Sequence, residues 1–196
     1  SLMPIGPSFS VATLLEWTPE SDPDARYSRA SIPLANREGG FVVNPKANPE
    51  AKLMLCSLAN SSHDTTSAQG TENFMSWSFN YWQYTDSFVY WSGSEEGLIC
   101  LPTGEFTDAA HTNGVPVVAT LGFPWGSGAG YADEVSQFCQ KAEDGSFPVA
   151  DKMLELMDYY GFDGYFFNQE SYGCNSEIAS RLDEMIRYMR AKCPDI

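Results

Sequence analysis

Two side chains near the end of one predicted strand carry the chemistry of an acid–base site. The run Tyr160-Gly161-Phe162-Asp163-Gly164-Tyr165-Phe166-Phe167-Asn168-Gln169-Glu170 reads as a strand over 162–169. Side chains alternate along a strand, so Gly164, Phe166, Asn168 and Glu170 share one face and Tyr165, Phe167 and Gln169 the other. A carboxyl group can give and take a proton, and a carboxamide both accepts and donates hydrogen bonds without adding charge. At the C-terminal end of a parallel strand the two point together into the mouth of the sheet, where barrel active sites lie. Taken alone, an Asn and a Glu at a strand end also fit a cap or a solvated loop.

The elements that must position this pair alternate along the chain. Apolar runs of buried-strand length occur at 53–58, 87–91, 115–121 and 162–169. Pro116 suits the first residue of the third. Helical patterns separate them. The segment 106–113 is closed by Gly114. Tyr131, Val135, Phe138, Cys139 and Ala142 lie on one helical face. Pro148 opens a helix carrying Met153, Leu154, Met157 and Tyr160, and Asn175 or Ser176 caps one carrying Ile178, Leu182, Met185, Ile186 and Met189. Strands with little alternation are covered on both faces, so a parallel sheet with right-handed crossovers is expected. No glycine-rich phosphate fingerprint follows the first strand, which disfavours a nucleotide-binding sheet and leaves a (β/α)8 barrel.

The run at 162–170 resembles the catalytic strand of glycoside hydrolase family 85, the endo-β-N-acetylglucosaminidases. Tyr81-Trp82-Gln83-Tyr84-Thr85-Asp86-Ser87-Phe88-Val89-Tyr90-Trp91 is similar to the family's second-strand region. Thr107-Asp108-Ala109-Ala110-His111-Thr112-Asn113-Gly114-Val115-Pro116-Val117 is similar to its helix into the third strand. Leu15-Glu16-Trp17-Thr18-Pro19 with Asp22-Pro23-Asp24-Ala25-Arg26 resembles the arm before the barrel in bacterial members.

The resemblance implies cleavage of the GlcNAc-β-1,4-GlcNAc chitobiose core of N-glycans by a substrate-assisted, retaining route through an oxazoline. It assigns Glu170 as general acid and then base, in a walled and partly apolar pocket, and Asn168 as the holder of the 2-acetamido group. Two other readings are a chitinase-like barrel hydrolase and a non-catalytic glycan-binding module. The chitinase-like pattern ends in Asp-x-Glu, and this chain has Asn168 where that Asp would stand.

Further substrate contacts are expected from Trp91 at the end of the second strand, from Phe123 and Trp125 after the third, and from Asn60 and Gln83. The glycine-rich segment 122–130 is expected to be a mobile loop at the rim. Many family members carry an acidic residue after the third strand, where this chain reads Phe123-Pro124-Trp125-Gly126. Nine aromatics fall within 74–91, which suits either a filled core or a sugar-stacking surface. His63-Asp64 and His111 lack the spacing of a metal site, and His111 is expected to be structural, so neither metal nor cofactor is expected. The 5 cysteines are odd in number and contain no CxxC pair, which argues against a disulfide framework. Cys56 and Cys100 sit in apolar runs and read as small buried hydrophobes.

Composition narrows the partners. Eleven Lys and Arg against 26 Asp and Glu give a formal charge of −15, which repels nucleic acid and anionic lipid. No apolar run approaches the ~20 residues of a membrane span. The expected partner is an N-linked glycan or glycoprotein. The bacterial-like arm favours a secreted or cell-surface protein.

The chain has 196 residues, whereas a complete (β/α)8 barrel typically needs about 250. The expected organisation is α/β: an irregular N-terminal arm over 1–50, then four β/α units over 51–196 forming the N-terminal half of a TIM barrel. The other half would come from the remainder of the barrel or a self-associated copy, so the isolated chain is expected to be incomplete, with its own activity left open.

Overall fold

The structure is a computed structural model, and it describes residues 8–37, 45–58, 79–91 and 98–195. The elements, in order, are β1 (Ser8–Phe9), α1 (Val11–Glu16), β2 (Met54–Leu58), β3 (Ser87–Trp91), β4 (Ile99–Cys100), α2 (Gly104–Thr112), β5 (Val117–Gly122), α3 (Tyr131–Phe138), α4 (Pro148–Tyr160), β6 (Gly164–Asn168) and α5 (Ser176–Lys192). Strands β2, β3, β5 and β6 are parallel neighbours in that order. Short β4 runs antiparallel to the end of β5, and β1 antiparallel to β4. These two-residue strands are additions to the alternating pattern read from sequence.

Register fixes the faces. Val89, Val118 and Gly164 are in line, and Thr120 lies beside Phe166. With period two, Cys56, Val89, Trp91, Val118, Thr120, Phe166 and Asn168 lie on one face. The opposite face carries Phe88, Tyr90, Ala119, Leu121, Tyr165 and Phe167, and helices pack there. Phe106 of α2 meets Tyr90, Phe138 of α3 meets Phe167, and Tyr165 donates its hydroxyl to the Met153 carbonyl of α4 at 2.6 Å. The core lies between this face and the helices.

Phe79, Trp82, Phe88 and Tyr90 of the aromatic cluster belong to that core, whereas Tyr81 and Tyr84 are exposed and Trp91 lies on the opposite face. Phe79 stacks on Trp82 and Phe88 at 4.5 and 5.2 Å, and Phe88 on Phe106 at 4.7 Å. Cys100 is buried as expected, but Cys56 is exposed. Cys56 stands on the face away from the helices, on a strand with one sheet neighbour among the described residues.

Local chemistry sets the helix ends. Thr103 caps α2, Pro148 opens α4 and Asn175 caps α5 by accepting from the Ile178 N–H at 2.9 Å. Gly161 ends α4 at φ 83°, a left-handed conformation that disfavours other residues. Helix α3 stops at Phe138, short of the expected Ala142. There the chain turns, and the Ala142 N–H donates to the Ser146 carbonyl at 2.8 Å.

The N-terminal stretch, expected to be irregular, holds β1 and α1 and anchors itself in the core. Trp17 is buried against Phe9, Tyr159 and Tyr160. Beyond it, residues 28–37 run across the N-terminal ends of the parallel strands. Arg29 and Ala30 donate to the carbonyls of Tyr159 and Tyr160. Asp108 accepts from Ser31 N, Ser31 Oγ and Ile32 N at 2.7, 2.8 and 2.8 Å. Arg37 donates to the carbonyls of Trp82 and Thr85. The arm passes so close to α2 that a Cβ on Gly104 would stand 2.5 Å from the Arg29 carbonyl oxygen.

His111 is the centre of this end, and its role is structural. It is 3% exposed. Its Nδ1 faces the Ile32 carbonyl at 2.6 Å and its Nε2 faces Asp163 Oδ2 at 2.7 Å. A carbonyl and a carboxylate both accept, so both ring nitrogens donate, and the ring is an imidazolium. Burial pulls its pKa down, but the bonds to Asp163 and Ile32 and the charges of Asp163 and Asp108 outweigh that and hold it above the ordinary value. Asp163 also accepts from the Val117 N–H at 2.7 Å, tying the arm and α2 to the starts of β5 and β6.

Candidate active site

The C-terminal ends of β5 and β6 bring Asn168 and Glu170 together. Asn168 is the last residue of β6, beside Gly122 of β5. The Asn168 backbone is held by the Phe123 N–H, which donates to its carbonyl at 3.0 Å. Its side chain turns towards Glu170, and Nδ2 donates to Oε2 at 2.8 Å. That bond leaves Asn168 Oδ1 as an acceptor and the other carboxyl oxygen of Glu170 for a third group. Glu170 is exposed within the described residues, not walled in as expected.

The segment after β5, expected to be a mobile loop, is stitched to the turn after β6. The Gly126 N–H donates to the Glu170 carbonyl at 3.0 Å, and the Tyr172 N–H donates to the Gly126 carbonyl at 2.7 Å. Ser171 Oγ donates to the Pro124 carbonyl at 2.7 Å. Gly126 and Ser171 form a parallel bridge, one step beyond the sheet.

The other expected contacts separate. Trp91 ends β3 on the same face as Asn168, with its ring 6.1 Å from that of Phe166. Trp125 is 70% exposed and meets the ring of Tyr172, itself 57% exposed, at 6.1 Å. Phe123 is corrected: it is 0% exposed, and its ring packs on Phe138 at 5.1 Å. One residue past Gly122, its side chain falls on the helix-covered face and cannot stack on a sugar. Gln83 is corrected as well. It sits in the turn Trp82–Tyr84 before β3, a strand length of roughly 15 Å from the rim. Asn60 and His63-Asp64 lie outside the described residues. Among the described residues no group of three His, Cys, Asp or Glu side chains is arranged to hold a metal ion.

Sequence reasoning missed three residues of the turn. Gln169 and Ser171 hold its backbone, and Tyr172 joins Trp125 at the rim. Their neighbourhood to Glu170 was the only available signal, because the turn that uses them begins where strand alternation ends.

Comparisons with known proteins place the chain among its relatives. The chain is 27% identical over 180 residues to the cytosolic endo-beta-N-acetylglucosaminidase of Gallus gallus, covering 91% of this chain and 23% of that protein. It is 30% identical over 172 residues to the Mus musculus protein of the same name, covering 84% of this chain and 21% of the relative. The glycoside hydrolase domain of Endo-D from Streptococcus pneumoniae R6 superposes with a TM-score of 0.88 at 37% identity, over 99% of this chain and 30% of that one. The chain thus spans under a third of each relative. The relatives' names also overturn the expected secreted or cell-surface location, since the curated proteins are named cytosolic. The sequence model described as glycosyl hydrolase family 85 matches residues 59–196, and by that match, which covers well over half of its length, the chain belongs to this family.

Proposed function

We propose that the protein containing this chain is an endo-β-N-acetylglucosaminidase that cuts between the two GlcNAc residues of the N-glycan core. The observation that carries the reading is the Asn168–Glu170 pair, 2.8 Å apart at the C-terminal end of a parallel strand, in a chain of this family. The relatives' names support the substrate class.

In the proposed reaction, Asn168 Oδ1 accepts the N–H of the substrate's 2-acetamido group. This turns the acetamido oxygen towards the anomeric carbon and stabilises the positive charge that develops on the amide. Glu170, as the acid, protonates the departing glycosidic oxygen while the acetamido oxygen bonds to the anomeric carbon. This closes the oxazoline ring as its oxazolinium ion, with the N–H proton kept on nitrogen against Asn168 Oδ1. As a carboxylate it then takes a proton from the water that opens the ring, and configuration is retained. A neutral amide at 168 holds the nucleophile without placing a second carboxylate beside Glu170. Trp91, and Trp125 with Tyr172, supply aromatic faces for sugar rings. Asn60 is kept as a further polar contact.

We also read the four parallel strands as the first half of a (β/α)8 barrel. Each of the four helices α2 to α5 packs on one side of the sheet, which leaves the Asn168 face for a barrel interior. Among the described residues β2 and β6 each have one sheet neighbour, which suits further pairing with the remaining four units or a second copy. Residues 1–50 are then an arm that closes the bottom.

The test is incubation of the full-length protein with a denatured N-glycosylated protein. A gel shift with one GlcNAc left on each asparagine, read by mass, supports the reading. Cleavage of a chitin oligomer with no change to the glycoprotein would favour a chitinase-like hydrolase instead.

A further inference from the structure

Glu170 is exposed, and its carboxylate accepts from the Asn168 amide. Its direction is therefore set through its backbone. That backbone is held on its C-terminal side, at its own carbonyl and at both polar groups of Ser171. Gln169 Oε1 accepts from the Ser171 N–H at 2.5 Å, and Gln169 Nε2 donates to the Ser171 carbonyl at 3.2 Å. One carboxamide thus spans both polar groups of the residue two positions on, closing a small ring around Glu170. The same Nε2 donates to Cys174 Sγ at 3.1 Å, which fixes the amide from behind. Ser171 is 5% exposed, and its hydroxyl reaches across to the Pro124 carbonyl at 2.7 Å. Between these anchors the Glu170 carbonyl is taken by the Gly126 N–H.

Resting on the reading of Glu170 as the acid and base, we propose that Gln169 and Ser171 are positioning residues that aim its carboxyl group. Gln169 follows Asn168 by one residue, and strand alternation turns its side chain away from the substrate face. It acts on the reaction through the turn. Loss of its bonds frees the Ser171 N–H and carbonyl to water and lets the carboxylate swing away from the glycosidic oxygen. A displacement of about 1 Å at a proton donor costs on the order of 100-fold in rate.

The experiment uses the full-length protein with Gln169→Ala, Gln169→Met and Ser171→Ala, beside Glu170→Gln. Two substrates are compared: a natural N-glycan, and the same glycan with a nitrophenyl leaving group, which departs without protonation. Gln169→Ala and Ser171→Ala are expected to lower kcat on the natural glycan by roughly 10- to 100-fold, with KM changed little. On the aryl substrate kcat/KM should hold to within about threefold, because that parameter reports the step needing no acid. Gln169→Met, which fills the volume without the bonds, should behave as Gln169→Ala. Equal losses on both substrates would mean a general structural role and overturn the proposal. So would unchanged kcat in Gln169→Ala alongside an inactive Glu170→Gln. If Glu170→Gln itself keeps wild-type turnover, the assignment of the acid fails first and the positioning role falls with it.

Discussion

At the residue scale, what distinguishes the two ends of the strands is charge and its neutralisation. At the rim a carboxylate is left with an amide and open space, which suits proton transfer. At the opposite end His111 is closed in by Asp163 and the Ile32 carbonyl, which suits structure. The pKa of His111 is held above its ordinary value in the fold. Its stabilisation is therefore complete below the unfolded value of about 6.5 and is lost as pH rises through the folded value. Thermal melts of wild type and His111→Gln should differ most near about pH 5.5, and the gap should narrow towards about pH 9. A gap that stays flat or widens would contradict the imidazolium.

The sequence made Asn168 and Glu170 legible because strand alternation alone puts them together. It misjudged Phe123 and Gln83, since which face follows a glycine, and which end of a strand a turn adjoins, depend on the folded path. Cys56 failed for a related reason. An apolar neighbourhood in sequence says nothing of a strand's position at the sheet edge.

Among the elements, the long ones were readable. Four apolar runs became β2, β3, β5 and β6, and the helical faces, Gly114, Pro148 and Asn175 marked α2 to α5. Strands β1 and β4, two residues each, are too short to show a period. The arm was unreadable because its order comes from distant partners: Asp108, the carbonyls at the ends of α4, and the core around Trp17. This dependence can be measured. Asp108→Ala removes the acceptor of three hydrogen bonds from Ser31 and Ile32. Bonds to a charged group are worth roughly 1.5–3 kcal/mol, so a loss of about 2 kcal/mol in unfolding free energy is expected. Backbone amides at 28–37 should then exchange faster while those of β6 are unchanged. Exchange that rises equally in β6 would show that the arm is no separate latch.

For the whole molecule, one-sided helix packing is the informative feature. Among the described residues no helix covers the Asn168 face, and a groove of ≈ 250 Å³ opens beside β6, between Tyr165, Phe166 and Phe167 and the Ile186, Met189 and Arg190 side of α5. Unpaired strand edges and apolar grooves invite association. Residues 1–196 produced alone should therefore self-associate with rising concentration in sedimentation experiments. A stable monomer would contradict the half-barrel reading.

The formal charge of −15 suits a neutral glycan better than a phosphate backbone. With both the pair and the family in hand, the central claim is that Glu170 transfers the protons of glycan cleavage and Asn168 holds the acetamido group. The direct measurement is kcat of the full-length protein on a natural N-glycan, for wild type, Glu170→Gln and Asn168→Ala. The account predicts no detectable turnover for Glu170→Gln and a fall of about 100- to 1,000-fold for Asn168→Ala. Wild-type turnover by Glu170→Gln would contradict it.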